Sequence, residues 1–130
     1  MRHETLLDTH LLLWAAQKSP RISSSAKKLI SDAENELLFS VASIWEFGIK
    51  YAKAPEEFDI SPNELREGLL QNGYVELQIA GRHVLAIGHL PALHGDPFDR
   101  ILIAQSAIEG ITLLTSDDKV AQYPGSTRKV

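Results

Sequence analysis

Asp96-Pro97-Phe98-Asp99-Arg100-Ile101-Leu102-Ile103-Ala104 reads as the start of a helix, and Gly110-Ile111-Thr112-Leu113-Leu114 as its end and the buried strand that follows. Asp96 stands at the N-cap, Pro97 at the first helical position and Asp99 in the first turn. Gly110 closes the helix after Glu109. Both acids thus have an adequate local task, serving the free N–H groups and the positive end of the helix dipole. They could equally stand at the mouth of an acidic, metal-binding pocket. The choice depends on where the other acids of the chain fall.

Outward from this unit the same alternation recurs. Thr5-Leu6-Leu7 reads as a short buried strand ending at Asp8, and residues 9–16 as a helix with Leu12, Leu13 and Ala16 at helical spacing. Ser19-Pro20-Arg21-Ile22-Ser23 is a turn, and the serines at 23–25 offer a cap for a helix reaching about Ala33. Leu37-Leu38-Phe39 is a strand ending at Ser40, and residues 41–53 a helix carrying Ile44, Trp45, Gly48 and Ile49. After a break at 54–59, Ser61-Pro62-Asn63-Glu64 writes a cap with Pro at the first position, and that helix runs to about Gln71. Residues 74–77 alternate like an edge strand, 81–87 form a short helix, 115–119 a turn and cap, and 125–130 a last strand. Strands alternating with helices predict a three-layer α/β/α sandwich with a mainly parallel sheet and right-handed crossovers.

A chain of 130 residues is expected to form a single domain, residues 1–130, burying roughly two-thirds of its unfolded surface. Its 44% apolar and 23% charged residues are ordinary for a globular protein. With no Cys, disulfides, thiolate chemistry and Cys-built zinc sites are excluded. No signal-peptide pattern and no run near the ~20 apolar residues of a bilayer span are present, so the expectation is a cytoplasmic protein without a membrane partner. The net charge of −4 argues against a general nucleic-acid coat. It leaves room for an enzyme acting on nucleic acid, where metal ions neutralise phosphates locally.

In an open parallel sheet the site lies outside the carboxyl ends of the strands. Asp8 follows the first strand and Asp117 follows the strand ending in Thr115. Glu46 stands two turns into the helix after Ser40, but strand-following positions alone do not place Asp99. Each acid has a local alternative. Asp8 can cap its helix, Glu46 can close a Ser43-Ile44-Trp45-Glu46 capping box or pair with Lys50, and Asp117 and Asp118 can cap a turn. As a set they say more. Three or more carboxylates on one pocket repel one another unless a cation sits among them, and carboxylate and water oxygens select Mg²⁺ or Mn²⁺. Such an ion suits phosphodiester cleavage, with one acid available as general base.

Leu6-Leu7-Asp8-Thr9-His10, Ser43-Ile44-Trp45-Glu46, Asp96-Pro97-Phe98-Asp99-Arg100 with Ile103-Ala104-Gln105, and Leu113-Leu114-Thr115-Ser116-Asp117 resemble, in that order, the motifs of the PIN-domain ribonucleases, and more narrowly those of VapC-type toxins of toxin–antitoxin pairs. The resemblance covers essentially the whole chain. It implies a PIN-like sandwich, Mg²⁺- or Mn²⁺-dependent endoribonuclease activity on RNA, a cognate antitoxin and a homodimer. Carried over by position, Asp8, Glu46 and Asp99 match the three principal acids, Asp117 the fourth, and Asp96 an accessory acid. Thr9 and Thr115 match small polar residues that hydrogen-bond an acid or a substrate phosphate. His10, His94 and Arg100 read on sequence grounds as a surface imidazole, a loop residue and an exposed cation. Trp14, Trp45, Phe47 and Phe98 read as core or interface aromatics.

Two other functions compete. A phospho-acceptor signalling module is also a small α/β domain with an acidic Mg²⁺ site, but it wants paired acids near the first strand and a Lys after the last core strand, for which Lys119 is the candidate. A binding module would use every acid as a helix cap.

Overall fold

The computed structural model describes residues 3–130. Five strands form one sheet: β1 (His3–Leu7), β2 (Asn35–Ser40), β3 (Val75–Leu77), β4 (Thr112–Thr115) and β5 (Thr127–Lys129). Their order across the sheet is β3-β2-β1-β4-β5, and every neighbouring pair is parallel. The helices are α1 (Thr9–Ala16), α2 (Ser24–Ser31), α3 (Val41–Lys53), α4 (Pro62–Gln71), α5 (Gly81–Ile87), α6 (Pro97–Glu109) and the single turn α7 (Asp118–Ala121). The expected break at 54–59 holds a 3₁₀ turn, Pro55–Glu57, and the turn expected at 115–119 extends into α7.

The two apolar layers follow from the two-residue period of the strands. Leu6, Leu38 and Leu113 point to one face and pack with Ile101, Leu102 and Ile103 of α6, and with Val120 of α7. Leu7, Phe39 and Leu114 point to the other, against Leu11 and Leu12 of α1, Ala26 of α2, Phe47 of α3 and Leu65 of α4. Both faces of the sheet are therefore covered, as the uninterrupted apolar strands require.

Helix ends are written as the sequence predicts. Asp8, Ser23, Ser61 and Asp96 each accept a backbone N–H from the first turn of the helix they precede. At α4 the box is complete, with Ser61 Oγ accepting from Glu64 N–H and Glu64 Oε1 accepting from Ser61 N–H. Ser61→Ala is expected to cost about 1 kcal/mol, read as a lowered urea midpoint at unchanged slope. Gly110 closes α6 in the left-handed region at φ 68°, where a Cβ would add strain.

The topology also settles how Asp99 reaches the site. A helix leading into a parallel strand runs back against it, so α6 begins at the carboxyl edge of the sheet and ends at the amino edge, where β4 starts. Strands deliver Asp8 and Asp117 to that edge by ending there. Asp99 arrives because its helix begins there.

Candidate metal centre

Between β1 and β4 the order of the strands reverses: the chain leaves β1 towards β2 on one side, while β4 and β5 lie on the other. The crevice at the carboxyl end of this switch point is where an open α/β sheet places its site. Leu7 and Leu114 are partners in the ladder, so the next residues, Asp8 and Thr115, meet at its lip.

Asp8 is buried, at 4% exposure. Its Oδ1 accepts the Leu11 N–H at 2.9 Å, and its Oδ2 accepts the Thr115 hydroxyl at 2.7 Å. Thr115 Oγ1 accepts in turn the N–H of Asp117 at 3.0 Å, so one hydroxyl ties the first acid to the last motif. Burial pushes the Asp8 carboxyl above its usual range, even against the hydrogen bonds from Leu11 and Thr115 that favour the anion. The cap reading and the site reading of Asp8 are both true of one carboxylate.

Thr9 is buried beside it and donates to Ser43 Oγ at 2.9 Å, joining the start of α1 to α3. Ser43 and Glu46 lie one turn apart on α3 and are both buried. The expected capping box around Glu46 does not form, because Ser40 is the cap of α3 and Ser43 lies inside the helix. The expected pair does form: Glu46 Oε2 stands 3.4 Å from Lys50 Nζ.

Asp99 completes the group from α6. Burial raises its pKa above the ordinary range and the hydrogen bond from His94 opposes that, while the negative charges of Asp96 and Glu46 raise it further. Glu46 thus adds its negative charge to the surroundings of Asp99. Asp96 serves as the N-cap, its Oδ1 accepting from the N–H groups of Phe98 and Asp99. Asp117 caps α7 by accepting from Lys119 N–H, and Asp118 turns away to pair with Lys129 at 2.7 Å.

Two residues read from sequence as a loop group and an exposed cation are engaged here instead. His94 Nε2 lies 3.1 Å from Asp99 Oδ2, and His94 Nδ1 lies 2.9 Å from the Tyr123 hydroxyl. Arg100 turns inward and donates to the Pro91 carbonyl and to Tyr123. Nothing local in the sequence joins Tyr123 to residue 94, so only the adjacency of His94 to the Asp-Pro-Phe-Asp motif could have signalled this network. His10 is exposed, as expected, and stacks on Trp14. Phe47 is fully buried, whereas Trp45 is 60% exposed beside Glu46. It meets Phe98 edge to face at 5.0 Å, over an apolar hollow of about 200 Å³.

With this geometry in view, the chain belongs to the PIN domain family, whose model matches residues 5–126. The same fold is found in VapBC2 from Rickettsia felis bound to a DNA fragment from its promoter (TM-score 0.71, 16% identity, covering 97% of this chain and 98% of that one). It is found as well in a toxin–antitoxin complex from Klebsiella pneumoniae (TM-score 0.66, 15% identity, 95% of each chain) and in DNA-bound VapBC from Salmonella typhimurium (TM-score 0.67, 11% identity, 98% of each chain). No curated protein matches the sequence.

Proposed function

We propose that this protein is a metal-dependent endoribonuclease and the toxin of a toxin–antitoxin pair, with residues 1–130 acting as one nuclease domain in the cytoplasm. The observation that carries the reading is the burial of the Asp8 carboxylate at the switch point, on the sheet edge where α6 brings Asp99. Burial holds the Asp8 and Asp99 carboxyls above the usual range, the charge of Glu46 adds to the effect on Asp99, and Thr115 links Asp8 to Asp117. Such an arrangement spends stability unless a cation relieves it.

The donor set suits a hard divalent ion in kind, being made of carboxylate oxygens with no Cys in the chain. It is a loose set: among the described residues no three Asp, Glu or His side chains stand within joint reach of one ion. Looseness fits Mg²⁺, which keeps several waters and takes one or two carboxylates together with substrate phosphate. Asp8, Glu46, Asp99 and Asp117 would contribute to the ion's shell directly or through its waters, with Asp96 as an accessory. A bound Mg²⁺ or Mn²⁺ supplies a water of lowered pKa and stabilises charge on the phosphate. Thr115 orients Asp8, whereas Thr9, expected to serve an acid or a phosphate, gives its hydroxyl to Ser43; a carboxylate of the set would accept the proton of the attacking water.

Likeness to toxin–antitoxin complexes supports the toxin role and a cognate antitoxin as partner; the homodimer belongs to the same proposal. No helix among the described residues is long and apolar enough to cross a membrane. The signalling alternative fares poorly on topology. Receiver-like sheets run 2-1-3-4-5, with the first strand beside the third. Here β1 lies between β2 and β4, and β3 is an edge.

The test is cleavage of a total cellular RNA preparation by the purified protein. Cleavage is expected with Mg²⁺ or Mn²⁺ and is expected to disappear with EDTA. Cleavage that persists in EDTA would overturn the metal-dependent reading.

A further inference from the structure

Residues 9–31, from the start of α1 to the end of α2, carry Lys18, Arg21, Lys27 and Lys28 and no Asp or Glu. In the whole chain, acids outnumber Lys and Arg by 17 to 13. All four cations are exposed, and among the described residues none of them enters an ion pair. Lys50, Arg66, Arg82 and Lys129, by contrast, are each held by an acid. This local excess lets a chain of net charge −4 attract a polyanion on one side.

The same stretch carries aromatic rings. α1 starts next to Asp8, and its His10 and Trp14, one turn apart, stack with centroids at 5.8 Å and planes 25° from parallel. His10 is exposed and Trp14 half-buried. Beyond them a hollow of about 350 Å³ is lined by Trp14, Ile22 and Ile30 together with Lys18 and Lys27. Lys18 stands there at a conformational cost. It closes α1, its N–H bonding back to the Ala15 carbonyl at 3.3 Å and that of Ser19 to the Trp14 carbonyl at 2.8 Å, with φ at 51°. Gly or Asn normally fills this left-handed position. No other described residue except glycine has a positive φ. The fold thus gives up stability at a position that sets a cation beside the hollow.

We propose that this face of α1 and α2 is a binding track for single-stranded RNA. One base stacks on Trp14 in the hollow, His10 extends the stack towards the acids, and Lys18 and Lys27 take flanking phosphates. That the track leads to a cleavage site rests on the nuclease reading above; that it binds RNA rests on the face itself. Unpaired cations without acids suit a phosphate backbone, and a ring platform suits bases of any sequence, because every base has a π-face. From Asp8 to Trp14 the helix rises on the order of 9 Å, so the stacked base belongs to a nucleotide near the one being cut.

Fluorescence tests this without cleavage. Trp45→Phe leaves Trp14 as the only indole of the chain. With EDTA present and at low ionic strength, a short single-stranded RNA of mixed sequence is expected to quench Trp14. The same sequence as a duplex, its bases paired and stacked, is expected to quench it little. The slope of log affinity against log salt is expected to fall by about 0.7 in Lys18→Gln and in Lys27→Gln, one phosphate contact apiece. Trp14→Leu is expected to weaken binding on the order of tenfold, read by polarisation of a labelled RNA. Trp14 also packs on the core, so His10→Ala, at an exposed position, is the companion variant and is expected to weaken binding severalfold. Lys18→Gly separates binding from folding: release of the left-handed strain is expected to raise the urea midpoint while RNA affinity falls severalfold. Trp14 left unquenched by single-stranded RNA, or Lys18→Gly and Lys27→Gln proteins that bind RNA as the wild type does, would overturn the proposal. So would Trp14 emission that follows protein concentration and ignores RNA, which would make the face a contact between copies of the chain. Quenching and salt slopes as expected, in a protein that cleaves no RNA with Mg²⁺ or Mn²⁺, would uphold the track and overturn the nuclease reading instead.

Discussion

Asp8→Asn is expected to lower RNA cleavage on the order of 10²–10³-fold or more while leaving the metal-free protein as stable as the wild type, or more so. The loss follows from the place of Asp8: it is the most deeply buried acid of the set, at the switch point, tied by Thr115 to Asp117. The retained stability follows from its cost. Burial raises the Asp8 pKa, so folding works against the anion. Asn keeps an oxygen for the Leu11 N–H, and its amide can donate to Thr115 Oγ1 where the carboxylate accepted.

The pH dependence carries a definite sign. A carboxyl with a raised folded pKa binds its proton more tightly folded than unfolded. Its penalty is absent below the ordinary value of 3.8, grows as pH rises towards the folded pKa, and is complete above it. The advantage of Asp8→Asn over the wild type should therefore be largest at neutral pH and shrink on acidification. Paired urea titrations across that range, with EDTA present, read it directly. Saturating Mg²⁺ at neutral pH should narrow the same gap by stabilising the wild type selectively. A variant less stable than the wild type at every pH would mean that Asp8 is primarily a structural cap.

Phe47→Ala is expected to cost about 3–5 kcal/mol, the range for removing a large buried aromatic. Phe47 is fully buried and meets Phe58 edge to face at 5.0 Å and Tyr51 at 5.9 Å. It joins α3 to the segment before α4 and to the sheet face formed by Leu7, Phe39 and Leu114. Against the 5–15 kcal/mol that holds a typical domain folded, such a loss is a large fraction. Chemical unfolding should show a sharply lower midpoint, and RNA cleavage should fall with the folded fraction. Phe47→Leu, which refills most of the space, should recover more than half of the loss. The contrast with Asp8→Asn separates a residue that holds the fold from one that the fold holds at a cost.

The elements were legible wherever local chemistry writes them. Asp96-Pro97 and Ser61-Pro62 announce helix starts through cap and ring geometry. The apolar runs at 5–7, 37–39 and 111–114 announce strands covered on both faces. The site was half legible by the same logic, since Asp8 and Asp117 stand where strands end. Asp99 was not placed by that logic, because its position depends on the direction in which a crossover helix runs. Of the two local readings of Glu46, the Lys50 pair forms, and the capping box is pre-empted by a better-placed serine, Ser40. Least legible were Arg100 and His94. An arginine or histidine after a loop is ordinarily solvated, and what recruits these two is Tyr123, whose place near them depends on β4 and α7 being docked. Which carboxylates share an ion is likewise a property of the assembled edge, and no spacing along the chain encodes it.

One further consequence concerns synthesis. The hydrogen bond between Thr115 and Asp8 spans 107 positions, and β1 lies at the centre of the sheet with β4 against it. A nascent chain on the ribosome carries Asp8 and Glu46 well before β4 exists to seat Asp8. Under the proposed reading the site is therefore incomplete while the chain is being made. It becomes competent only when the chain's last quarter emerges and slides in beside the first strand, so the translating ribosome and its message are spared the product until the product is nearly complete.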